Sequence, residues 1–291
     1  MMVADSPQRA LMLGCKHPNS SSRHPCTLCL VKQSGDDGGQ LGDADVDINS
    51  NELRRTRQTM ESSWSEIQQM QAAGRLSRDV DARSMDLGVV VPRADGLPQP
   101  LFETLTLGNP NAHVPPERLH ADALGQLALA QKYALSVLNS AGKRMVSATV
   151  REGTTLYPPG EDRLKNIVTN YTSLTGSDKW LLGSIMLLVF RPLLVDVEAM
   201  RHYTKTTAIA QLREELATRD DPSNVTDAYV LKALRTLLFT SSQFSYGVRG
   251  ASFSAEDVNQ INLRAKDVVH IFRAVMGRDG VRPTIHSCLH F

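Results

Sequence analysis

From Glu117 onward the chain repeats apolar residues at the period of an α-helix, and that pattern limits the fold to packed helices. Leu119, Ala123, Leu127, Ala130, Tyr133, Ala134 and Val137 follow one another at spacings of one, three or four residues, enough for one buried face. Further helices are expected over about 161–171, 177–190, 196–217 and 223–239. The last begins at Ser254, where Ser254 and Asp257 have the spacing of a capping box. It presents Val258, Ile261, Ala265, Val268, Val269, Phe272 and Val275 on one side. No internal repeat is visible. The expected class is mainly α, with a helical bundle over 117–291.

The preceding sequence divides into three parts. Residues 1–32 form a compact opening unit, with a strand end at 2–4, a short helix at 6–13 and then a Cys/His cluster. Residues 33–50 are rich in Gly and Asp and poor in apolar side chains, the composition of a flexible linker. Over 51–116 a polar helix comes first, carrying Leu53, Met60, Trp64, Ile67 and Met70 at helical spacings. An irregular stretch is then expected from Gly74 to Pro116, punctuated by Pro92, Pro98, Pro100, Pro110, Pro115 and Pro116.

Composition narrows the function less than the pattern narrows the fold. A net charge of +1 gives no argument for nucleic acid, membrane or acidic partners, so any DNA-binding surface would be local. The N-terminus lacks the basic and apolar regions of a secretory signal. The most apolar run, 180–195, is shorter than a bilayer span and is broken by Arg191-Pro192, so it reads as a buried core helix. No membrane partner is expected, and the chain reads as intracellular. Nucleophile motifs, phosphate loops and dinucleotide fingerprints are missing, and no small-molecule substrate is evident.

Three of the four cysteines lie close together beside two histidines, which is metal-ligand packing rather than a disulfide framework. Cys15-Lys16-His17 and Cys26-Thr27-Leu28-Cys29 supply two short-spaced ligand pairs for a tetrahedral zinc ion, with His24 competing with His17 for the fourth position. Pro18 and Pro25 stiffen the intervening loop. Four protein ligands leave no open coordination position, so the expected zinc is structural.

The run Ala4-Asp5-Ser6-Pro7-Gln8-Arg9-Ala10, followed by Cys15-x-His17 and Cys26-x-x-Cys29, resembles a segment of DDE/D transposases encoded by fungal DNA transposons of the Plavaka, KDZ and CACTA-like groups. Glu117-Arg118-Leu119-His120 is similar to the block that opens a long helix in that family. Weaker matches follow at Leu174-Thr175-Gly176-Ser177-Asp178-Lys179-Trp180 and Arg282-Pro283-Thr284-Ile285-His286. The resemblance implies a ribonuclease-H-like α/β core in which carboxylates hold paired Mg²⁺ ions for DNA cleavage and strand transfer. It implies that Asp5 corresponds to the second core carboxylate and Glu117 to the third, where many members carry Asp. The first carboxylate and most of the sheet would precede Met1. The expectation is therefore a transposase-derived fragment, inactive as this chain, with DNA as partner of the parent enzyme and a nuclear location if functional. A homo-oligomer is compatible with this. The alternative is a non-enzymatic zinc-binding helical interaction module.

Other candidates have plainer readings. Asp5 can cap a short helix, and Glu117 can sit at a helix N-terminus where a carboxylate is favoured. His120 reads as an ordinary helix residue. His286 and His290 would share one helical face with Cys288 nearby, yet after Pro283 they are read as not binding metal. Arg54, Arg55 and Arg57, with Glu52, Glu61 and Glu66 close by, read as a solvated helix face; Lys16, Arg23 and Lys32 are better placed for phosphate contacts.

Overall fold

The computed structural model describes residues 10–91 without 11–12, 17–21, 34–40, 42, 49 and 51, and residues 119–290 without 154–163, 165–166, 219–221, 251 and 278–280. The described chain is mainly helical. Extended pairing is confined to isolated antiparallel bridges at Cys15–Val89, Cys29–Arg54 and Leu138–Thr204, and no strand occurs among the described residues. The chain divides into two compact units, Met1–His120 with Leu289–Phe291, and Ala121–Cys288.

In the first unit, α1 (Arg57–Ala72) starts where Thr56 and Thr59 cap each other reciprocally. This satisfies donors that the first turn leaves open. Its Met60, Trp64 and Ile67 turn inward onto Ala10, Leu13, Cys15, Val80 and Val89. A second helix, α2 (Ser77–Leu87), occupies part of the stretch expected to be irregular. The prolines behind that expectation begin only at Pro92; residues 75–91 contain none, and Val80 and Ser84 give α2 a buried side. Gly88 ends α2 with φ +68°, a left-handed geometry open to glycine at little cost.

A second apolar cluster joins Cys26, Leu28, Cys29, Val31 and Leu41, with Val46, Ile48 and Leu53 against it. The segment expected to be a linker thus adds its few apolar side chains to a core, at least at the residues described. The physical reason is scarcity: a small unit has little apolar surface to bury, so each such side chain counts. The expected helix at 6–13 and strand at 2–4 lie almost wholly outside the described residues.

The second unit opens with a π-helical segment, Leu119–Gln126, broken at Gly125 by non-helical dihedrals, and continues into α3 (Leu127–Val137). There follow α4 (Ser140–Gly153), α5 (Ile167–Asn170), α6 (Gly176–Leu194), α7 (Val197–Tyr203), α8 (Thr206–Ala217), α9 (Asp227–Gly247), α10 (Ala255–Met276) and α11 (Pro283–His286). The helix expected over 196–217 is two helices, because Thr204 leaves helical geometry to pair with Leu138. The expected helix over 161–171 is described only in part, as α5 and a 3₁₀ turn at Tyr171–Ser173.

At the centre α9 packs against α10, α6 and α3. Phe190, Phe244 and Phe272 are fully buried there. At Gly183 in α6 a β-carbon would stand 2.7 Å from Leu127 Cδ2, so glycine lets α3 and α6 approach closely. The apolar run of α6 is the core helix its composition suggested, burying Leu182, Met186, Val189, Phe190 and Leu193. Among the described residues no single helix is long and apolar enough to cross a membrane. The capping box at Ser254 and Asp257 is present, with the Ser254 amide 2.8 Å from the Asp257 carboxylate.

Candidate metal centre

The Cys26-x-x-Cys29 turn is held from two directions. Leu30 donates its amide to Leu53 at 2.6 Å, and Arg55 donates its own to Leu28 at 3.3 Å, so the turn leans on the chain just before α1. The guanidinium of Arg55 supplies the second support. Its Nε donates to the carbonyls of Cys26 (3.0 Å) and Cys29 (3.3 Å), and its Nη2 to that of His24 (3.0 Å). Arg55 is 1% exposed. The solvated arginine face expected at 54–57 is therefore corrected at this position, because three carbonyls with no helical partner draw the side chain inward.

Cys26 and Cys29 are buried, and the Leu28 amide points at Cys26 Sγ from 3.3 Å. Within the same unit His290 brings its Nε2 to 3.5 Å from Cys26 Sγ. One ligand atom from each of Cys26, Cys29 and His290 lies within 4.8 Å of the other two. Zinc–sulfur bonds of about 2.3 Å and zinc–nitrogen bonds of about 2.0–2.1 Å put tetrahedral ligand atoms roughly 3.3–3.8 Å apart. The Cys26–His290 separation already falls in that range, and the others need contract by about 1.5 Å at most. The residues can hold a metal ion.

Burial, and then the hydrogen bond and proximity of Cys26, push the Cys29 thiol well above its ordinary range. Such a thiol holds its proton by itself; a divalent cation reverses the preference, since thiolates are the ligands and their protons leave as metal binds. His24 is pushed down by burial and by the Arg55 cation, and its Nδ1 faces the Leu30 carbonyl at 2.6 Å. It is occupied in holding the loop.

The remaining expected ligands are placed differently. Cys15 packs in the other apolar cluster, bridged to Val89, with its Sγ toward the Leu13 carbonyl. The structure does not bring it to Cys26 and Cys29. His17, Asp5 and Glu117 lie outside the described residues, as does the His120 side chain. His290, which the sequence reading leaves out of the ligand set, stands beside Cys26. A signal for this existed. Cys-x₂-Cys with histidine is a common zinc ligand pattern, but here the two stand at opposite ends of the chain.

Polar burial in the second unit has another character. Asp122 is fully buried and accepts hydrogen bonds from Gln126 Nε2 (2.7 Å), Trp180 Nε1 (2.6 Å) and Ser245 Oγ (2.7 Å). Arg249 donates to Ser245 Oγ at 2.9 Å and lies over the Trp180 ring. Its donors come from three separate elements, which ties the π-helical segment to α6 and α9. No protein-family model, curated protein or solved structure matches the chain.

Proposed function

We propose that the chain is a zinc-stabilised helical module in which Cys26, Cys29 and His290 hold one structural zinc ion. The observation that carries this reading is the convergence of two cysteines and a histidine from distant sequence on one point. Two thiolates neutralise a divalent cation and, with a neutral imidazole, suit borderline-soft zinc. Ligands drawn from positions far apart in sequence make the ion's work folding. The helical surface is then the functional part, which is the interaction-module reading.

Metal analysis of the purified full chain tests this. One zinc per chain is expected, lost on Cys26→Ser and on His290→Ala but retained on Cys15→Ala. Zinc lost on Cys15→Ala and retained on His290→Ala would restore the ligand set first read from the N-terminal cluster. Absence of zinc from the wild type would sink the proposal.

On ancestry we propose descent from a DDE/D transposase with a ribonuclease-H-like core. Support comes from the ordered matches at 4–29, 117–120, 174–180 and 282–286. DNA and Mg²⁺ would belong to the parent activity and nuclear location to its setting. A Mg²⁺-dependent strand-transfer assay on this chain is expected to be negative. Cleavage that disappears on Glu117→Ala would overturn that view.

A further inference from the structure

Resting on the zinc reading, we infer that Arg55 is the positioning residue of the metal centre, setting its affinity by holding both cysteine carbonyls in one fork. Cys26 and Cys29 can face one ion only if the turn between them is fixed, and both their carbonyls are bound by the single Nε of Arg55. The same guanidinium reaches back to the His24 carbonyl through Nη2 and forward to Met60 Sδ (3.3 Å) through Nη1. It thus links the ligand turn, the loop before it and the first turn of α1. A planar guanidinium presents five donors in a rigid arrangement, and lysine cannot reproduce this with one ammonium.

The surroundings are shaped to this side chain. A β-carbon on Gly88 would stand 2.5 Å from Arg55 Nη2 and 2.7 Å from the His24 carbonyl oxygen. The bridge between Cys29 and Arg54 sets the register that delivers Arg55 beneath the turn. Arg55 touches no ligand atom of the site in these contacts. Its effect passes through the backbone of the two cysteines, in the way outer groups orient metal ligands generally.

The test is zinc affinity of the full chain, measured by competition with a chromophoric chelator, with the cobalt(II) absorption spectrum as a second readout. Arg55→Gln is expected to weaken zinc binding on the order of 10–100-fold and to broaden the cobalt bands. Arg55→Lys, which keeps the charge without the fork, is expected to lose affinity as well. Ile67→Val, which loosens the other apolar cluster of the same unit, is expected to leave affinity unchanged, separating positioning from general destabilisation. Arg55→Lys decides the matter should Arg55→Gln fail to fold. Wild-type affinity in Arg55→Lys, or equal losses in Arg55→Gln and Ile67→Val, overturns the assignment while the zinc site stands. A wild-type chain that binds no zinc removes the zinc reading itself.

Discussion

On the zinc reading, stripping the metal from the purified chain, or replacing Cys29 with Ser, is expected to unfold the first unit and leave the helices of the second intact. The first unit has two small apolar clusters, one of them built directly around Cys26 and Cys29. Structural zinc contributes apparent binding energies of about 10–16 kcal/mol in zinc-finger peptides. That matches or exceeds the ~5–15 kcal/mol by which whole domains are stable. Without the ion, the unit retains two buried thiols and an inward-turned arginine whose contacts depend on the turn they define. The second unit has its own core around α9 and needs no ligand for it. Hydrogen exchange resolved by residue gives the readout. The amides of Met60, Trp64 and Ile67 should lose protection on chelation, while those of Leu234, Leu237 and Val268 keep theirs. Equal protection in both states for α1 would refute a folding role for the metal.

The second large effect is expected from Asp122→Ala, at about 3–5 kcal/mol of lost stability in the second unit. The Asp122 carboxylate is surrounded by donors alone: the Gln126 amide, the Trp180 indole and the Ser245 hydroxyl, itself bound by Arg249. Deleting the acceptor takes a partner from all three, although Gln126 Nε2 keeps the Ser241 carbonyl at 3.1 Å, and each group left unsatisfied costs about 1–3 kcal/mol. Denaturant unfolding followed by helical signal measures the loss; a change below about 1 kcal/mol would mean that the network relaxes onto other acceptors.

The same residue predicts a pH dependence. Burial raises the Asp122 carboxyl above its ordinary value, and the donors from Ser245, Trp180 and Gln126 oppose this without cancelling it. A carboxyl with a raised folded pKa contributes stability that is complete below its unfolded value of about 3.9 and fades as pH climbs through the folded one. The stability margin of wild type over Asp122→Asn, which does not titrate, is therefore expected to narrow as pH rises through that window. A margin that widens instead would contradict the direction of the shift.

Helices were the legible part of this sequence because each carries its own evidence. The face Ile261, Ala265, Val268, Val269, Phe272 and Val275 and the Ser254 cap can be read without knowing any partner, and both are present. Errors arose where local and tertiary information diverge. Thr204 breaks a continuous apolar period because it pairs with Leu138, a residue far away in sequence. Prolines predict an irregular stretch from Gly74, but residues 75–91 contain none and α2 forms there.

Half of the metal cluster was legible in the same sense. Cys26 and Cys29 are neighbours, so their spacing alone suggests a ligand pair. His290 is visible too, but spacing says nothing about which distant residue meets the turn, and the nearer Cys15-x-His17 is the better local match. Arg55 was hidden for a related reason. Nothing local distinguishes an arginine that turns in toward three carbonyls from Arg54 beside it.

The bond between Cys26 and His290 side chains spans 264 positions of sequence. During synthesis the chain emerges from its N-terminus, at about 5–20 residues per second. The cysteine turn is therefore made roughly 13–53 seconds before His290. For that interval its two thiols lack the imidazole that faces Cys26 in the folded chain.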